Sequence, residues 1–197
     1  WKEKKWEQYD YFFLLTNDTE LSSTQTLAPM KNLLKEHKRV GILSPCSARW
    51  GERLLLQKAE TKYFWFIHNN ALLLRRNFVE SVMEKEKPNY LNFLFDGSNF
   101  RGYFSESELI AKAYANNWAA SITAKVFAEE NESYLLNKAD LIRTESYDEN
   151  IRLYIKEGEY WLRRKYGFNS RWSMQQYVKS FYDSFFDFYP EYKKYKL

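Results

Sequence analysis

Cysteine is almost absent. Cys46 is the single thiol in 197 residues, which excludes an internal disulfide and a Cys-based zinc site. A reducing, cytoplasmic setting is the default for such a chain. Glycine is scarce, at six residues, and there is no Gly-rich phosphate loop of the Walker or dinucleotide-binding type. Long apolar runs are missing too. The longest are Tyr11–Leu15, Tyr63–Ile67 and Ala71–Leu74, far short of the ~20 residues of a membrane-spanning helix. Neither charge sign dominates. Thirty Lys and Arg against 26 Asp and Glu leave a net charge of +4, without the strong basic bias of a dedicated nucleic-acid binder, so no nucleic-acid partner is expected. Histidine occurs only at His37 and His68.

What is present is a core. The chain is 45% hydrophobic and 28% charged, which excludes disorder and suits one globular domain. Aromatic residues reach 19%, with 7 Trp, 16 Tyr and 15 Phe. The sequence opens on Trp1 without an initiator Met. The run Lys2-Glu3-Lys4-Lys5-Trp6-Glu7 reads like the tail of a helix, so a preceding segment is expected.

Periodicity predicts an α/β fold. Residues 10–16 form a short apolar strand, a helix runs from about Leu27 to Lys38, and Val40–Leu43 is a second buried strand. That order reads as a right-handed crossover joining adjacent parallel strands. Tyr63–Ile67 reads as a strand, Ala71–Leu74 as another apolar piece, and Phe78–Lys87 as a helix halted by Pro88. A helix over 105–117 opens on Ser105 with Glu108 three residues on, the pattern of a capping box. Trp118–Phe127 follows as a strand. From Asp148 the texture changes to two long helices, 148–166 and 171–189, joined at Gly167-Phe168-Asn169. The boundaries are therefore a domain over 1–147 and a C-terminal helical extension over 148–197 packed on it.

Two clusters carry potential chemistry. Asn17-Asp18-Thr19-Glu20 follows a buried strand, where α/β sheets bind ligands and where oxygen ligands suit a hard divalent cation. The same residues also make an ordinary turn. Ser105-Glu106-Ser107-Glu108 can supply a general base, although acids at a helix start are favoured by the helix dipole alone.

These segments together resemble family 2 glycosyltransferases of the GT-A fold, in the rhamnosyltransferase-like branch. Leu14 to Leu21 is similar to the family's strand-plus-metal motif, and Val40-Gly41-Ile42-Leu43-Ser44-Pro45 to its next strand. Asn70-Ala71-Leu72-Leu73-Leu74-Arg75-Arg76 resembles its "Gly-Ala-x-Leu-x-Arg-Arg" segment, with Asn70 in place of Gly. Phe95-Asp96, Phe100, Ser105 to Leu109, Lys112 and Asn117-Trp118 follow its "Phe-Asp…Phe…Glu-Asp-x-Asp-Leu…Arg…Gly-Trp" pattern, with Ser105 replacing the first acid. Asn150, Tyr154, Trp161 and Lys165-Tyr166-Gly167 resemble its closing segment. The family's nucleotide-binding strands would precede residue 9.

The resemblance implies a GT-A-like, mixed but mainly parallel sheet flanked by helices. It implies an inverting transfer of a sugar from a nucleotide-diphosphate donor to a hydroxyl of a glycan or lipid-linked acceptor, in polysaccharide or glycan synthesis. Glu106 falls on the catalytic base and Glu108 on the second acid. Asp18 is the expected ligand of Mg²⁺ or Mn²⁺, with Glu129 or Glu130 standing where the family often has a His. Asn17, Asn70, Arg75 and Trp118 are expected on the donor and acceptor sides, and Trp50, Phe66 and Trp118 as rings that stack on sugars. His68 reads as a structural histidine. The other class of function is a non-catalytic GT-A-like remnant acting as a binding or interaction module. The aromatic helix 172–189 has three uses open to it: packing on the domain, a homodimer contact, or peripheral contact with a membrane. Asp183 and Asp187 beside Lys179 favour the first two.

Overall fold

The computed structural model describes residues 5–22, 25–58, 60–68, 71–86, 92–131 and 146–197. After a 3-10 turn at Lys5–Gln8, the elements are β1 (Tyr11–Leu15), β2 (Thr19–Leu21), α1 (Leu27–Glu36), β3 (Val40–Cys46), α2 (Glu52–Leu55), β4 (Thr61–Tyr63), β5 (Ala71–Arg75), α3 (Arg76–Val82), α4 (Ser105–Ala115), β6 (Ala119–Glu130), α5 (Tyr147–Tyr166) and α6 (Arg171–Phe188), closed by a 3-10 turn at Pro190–Tyr195.

The fold is mixed α/β. One six-stranded sheet has the order β1-β5-β3-β6-β2, and β4 also pairs with β6. The expectation of a mainly parallel sheet is corrected here, because among the described strands only β3 and β6 pair in parallel. β1 with β5, β3 with β5, β4 with β6 and β2 with β6 are all antiparallel. β1 and β3 do run in the same direction, but they are not adjacent: β5 is inserted between them, with Phe13 opposite Leu73 and Leu43 opposite Leu73. The reason lies in β5 itself. Ala71 to Leu74 are all buried, and a strand apolar on both faces belongs inside a sheet. β1, half-buried along most of its length, takes the edge.

Other boundaries moved for local reasons. β4 ends at Tyr63, and Phe64 adds one more backbone bond, to Ala120, at 3.0 Å. Trp65 to His68 then leave the sheet. α3 spans only Arg76–Val82, and the Pro88 expected to stop it lies outside the described residues. The capping box at α4 does not form. Phe104 precedes the helix in the left-handed conformation (φ 67°), and the Ser105 hydroxyl donates instead to the Gly102 carbonyl at 2.6 Å. α5 and α6 start on Ser146 and Ser170, whose hydroxyls accept from Glu149 N at 3.2 Å and Ser173 N at 3.4 Å. Gly167 ends α5 with φ 73°, a left-handed cap that glycine adopts without a Cβ clash.

The helices bury their apolar faces on the sheet and on each other. α1 contributes Met30, Leu33 and Leu34, and α4 contributes Leu109, Ile110, Ala113 and Tyr114. α6 buries Met174, Val178, Tyr182, Phe185 and Phe186, so its aromatic face packs on the domain, with Tyr182 and Phe185 edge-on to Tyr114. Among the described residues no helix is long and apolar enough to cross a membrane.

Gly41 marks the tightest packing against β3: a Cβ there would sit 2.6 Å from Cγ of Phe78. Gly41→Ala is expected to destabilise the fold by about 1–3 kcal/mol through overpacking, and adding Phe78→Leu should recover part of the loss. Thermal unfolding followed by circular dichroism checks both.

Candidate active site

A cavity of about 510 Å³ opens beyond the carboxyl end of β1. The chain turns there through Thr16-Asn17-Asp18-Thr19. The turn is closed by Thr19 N to Thr16 O at 3.2 Å and by a 2.7 Å bond between the two threonine hydroxyls. Asn131 N donates to Asp18 O at 2.8 Å and ties the turn to the end of β6. Asp18 is thus both a turn residue and part of the cavity wall.

Glu106 lines the same cavity. The left-handed Phe104 turns the loop 101–104 into α4, and this segment lines the cavity from Arg101 to Ser107. Burial pushes the Glu106 carboxyl up to about 7, against the lowering effects of its own backbone hydrogen bond and of His68. Tyr154 of α5 lines the same cavity, and its phenol is raised by burial and by the neighbouring Glu106. Trp50, Phe66 and His68 line it from the segments around β4, Glu130 from β6, and Arg171 and Gln175 from α6. The cavity therefore gathers Asp18, Glu106 and Glu130, two arginines and aromatic surface.

Several expected site residues are placed elsewhere. Glu108 is two residues after Glu106 on one helix, about 200° round the axis, and it faces away from the cavity. It is buried, with Lys165 Nζ at 2.6 Å and Lys112 Nζ at 3.6 Å, and it accepts from the Tyr166 hydroxyl. Lys165 also lies 2.7 Å from Asp96, which accepts from Trp161 Nε1 at 3.1 Å. Burial opposes the Asp96 carboxylate, but hydrogen bonds from Lys165, Ser98 and Trp161 outweigh it and hold its pKa well below the usual carboxylate range. This network is structural.

Glu129 follows the same logic in a strand, where neighbours point to opposite faces. It accepts from the Ser47 hydroxyl at 2.7 Å and from Ala48 N at 2.6 Å, while Glu130 lines the cavity. Arg75 is also structural. Its guanidinium donates to Val40 O at 3.1 Å, His37 O at 3.3 Å and Leu34 O, satisfying carbonyls at the end of α1 and the start of β3. Trp118 packs edge-on against Phe78, and Asn17 is exposed at the turn; neither lines the cavity. Asn70 lies outside the described residues.

Arg101, Arg171 and Gln175 were not singled out from the sequence. They reach the cavity only through tertiary packing, and no linear motif announces them. A larger cavity of about 650 Å³ lies between Trp6, Phe12, Leu14, Phe93 and Phe95. It is apolar, and among the described residues its one carboxylate, Asp96, is engaged by Lys165 and Trp161, so the titratable groups concentrate in the smaller cavity. Among the described residues no three of His, Cys, Asp and Glu are grouped to hold a metal ion. No family model matches the chain, and neither does any curated protein or solved structure.

Two outcomes follow from these charges. Glu106 binds its proton more tightly folded than unfolded. Its favourable contribution is complete below the ordinary carboxylate value of 4.5 and is lost as pH rises through about 7. Denaturant unfolding of Glu106→Gln should therefore show a smaller drop in stability between pH 5 and pH 8 than the parent. Lys165→Met leaves buried Glu108 without its nearest cation and should cost about 2–3 kcal/mol in the same assay. That is below the ~3–5 kcal/mol of a fully enclosed pair, because Lys165 is itself partly solvated.

Proposed function

We propose that the chain is an inverting glycosyltransferase of the GT-A type, moving a sugar from a nucleotide-diphosphate donor to a hydroxyl acceptor in polysaccharide or glycan synthesis. The observation that carries this reading is that Asp18 and Glu106, far apart in sequence, line one cavity together with Trp50 and Phe66. One acid stands at the end of a sheet strand and the other at a helix start, as the resemblance to family 2 enzymes requires.

Each residue has a role its surroundings support. Glu106 is the base. A carboxyl at about 7 is half ionised at neutral pH and matched to taking a proton from a hydroxyl as its oxygen bonds the anomeric carbon. Direct displacement from the face opposite the leaving group inverts that carbon. Arg171 lines the cavity with positive charge suited to a diphosphate, and Arg101, 3.4 Å from Glu157, lines it as well. Trp50 and Phe66 give flat apolar surface for a sugar ring.

Asp18 and Glu130 suit a hard divalent cation, Mg²⁺ or Mn²⁺. Such ions take one or two carboxylates and fill their other positions with phosphate oxygens and water, a pair that Asp18 and Glu130 can supply while Glu106 is kept for the base. When bound, a cation at these residues would supply electrostatic stabilisation of the departing diphosphate.

The test is a screen of nucleotide-sugar donors with the full-length protein and Mn²⁺. Transfer is expected to fall by about 10²–10⁴-fold in Glu106→Gln and by at least about 10²-fold in Asp18→Ala. The parent rate should rise as pH passes through about 7, where Glu106 ionises. Transfer unchanged in both variants refutes these roles, and a folded protein inactive with every donor points to the binding-module reading instead.

A further inference from the structure

One titratable pair at the cavity has no part in the sugar-transfer scheme. Glu52 of α2 is 3% exposed, and its Oε1 meets Nδ1 of His68. Its second oxygen is buried without a hydrogen-bond partner among the described residues, so the imidazole is the group that answers this carboxylate. An enclosed carboxylate with no partner is costly, and its burial therefore holds the contact in place. The ring is fixed in its plane as well: Trp50 stacks on it with centroids 3.8 Å apart and planes 29° from parallel.

An edge held by Glu52 and a face held by Trp50 leave the imidazole little freedom. A carboxylate only accepts hydrogen bonds, so Nδ1 carries a proton, and in the neutral form of the ring Nε2 keeps its lone pair. No described group hydrogen-bonds Nε2. The His68 side chain is 40% exposed, and the residue lines the 510 Å³ cavity with Glu106 and Phe66.

We propose that Glu52 and His68 form a carboxylate–imidazole dyad that presents Nε2 to the cavity as a second acceptor beside Glu106, so that the cavity recognises a ligand offering two hydroxyls, a carbohydrate rather than a simple alcohol. The ligand class rests on the sugar-transfer reading; the dyad does not. In that setting Glu106 takes the proton of the attacking hydroxyl, and His68 accepts a hydrogen bond from its neighbour. His68 is thus a positioning residue, and no bond is made or broken at its ring.

The chain has two histidines, so a long-range ¹H–¹⁵N spectrum of the intact protein resolves both imidazoles. His68 is expected in the Nδ1–H tautomer, and Glu52→Gln should lose that preference. Methyl α-L-rhamnopyranoside or methyl α-D-mannopyranoside should shift the His68 Nε2 resonance, while propan-1-ol at equal concentration should not. An Nε2–H tautomer, or an imidazolium protonated on both nitrogens at neutral pH, in the parent overturns the proposal, as does a tautomer unmoved in a folded Glu52→Gln variant. Equal shifts from glycoside and propan-1-ol, or none from either, overturn the two-hydroxyl recognition. The tautomer and the titrations are read on the parent protein, so the proposal stands or falls even if the variant does not fold. Glycoside shifts in a protein that transfers no sugar from any donor would uphold the carbohydrate site and refute the transfer reaction.

Discussion

Lys165 sits where three segments meet. Its ammonium lies 2.7 Å from Asp96, at the head of the loop before α4, and 2.6 Å from Glu108, inside α4. It belongs to α5, the helix that also carries Tyr154 to the cavity wall. Two carboxylates this close would repel each other if no cation stood between them. With it, the loop, α4 and α5 are held together, and the wall that bears Glu106 is built from those pieces. Burial makes the arrangement strict, because Glu108 has almost no access to water and cannot exchange its partner for solvent. The chemistry assigned to Glu106 is in this sense supported by the acid two residues along.

Much of the scaffold was legible in the sequence. β1, α1, β3, β5 and β6 fall where short apolar runs or helical periods predict them, and the two C-terminal helices break at Gly167 as expected. The insertion of β5 between β1 and β3 was not read, although its unbroken Ala71–Leu74 run already demanded neighbours on both sides. The placement of Glu108 and Glu129 away from the cavity has the same origin. A helix period of 3.6 turns residues two apart away from each other, and a strand period of 2 opposes neighbours. Those periods separate Glu106 from Glu108, and Glu129 from Glu130, without any structure. By contrast, nothing local brings Arg171 to Asp18. That proximity comes from packing α6 against the body of the domain.

The aromatic surplus divides into two uses. Most rings are core. Tyr63, Tyr114, Tyr182, Phe185 and Phe186 interlock between the sheet and α6, and the Tyr182 hydroxyl lies 2.8 Å from the Leu197 amide and 3.2 Å from the Tyr63 carbonyl. Tyrosine serves there because it fills volume while its hydroxyl satisfies backbone groups that burial would strand. The smaller group, Trp50 and Phe66 with Tyr154, borders open space in the cavity. Composition alone cannot divide the rings in this way, because both uses draw on the same residue types.

The turn that carries Asp18 is laced on three sides: across its own backbone, between its two threonine hydroxyls, and to Asn131 at the end of β6. The main chain beneath this acid is therefore immobilised when the protein folds, before any ligand arrives. Preorganisation of this kind moves an entropic cost from association to folding, so the ion or phosphate proposed for Asp18 would meet an anchor already in place, with only the carboxylate's own torsions left to settle.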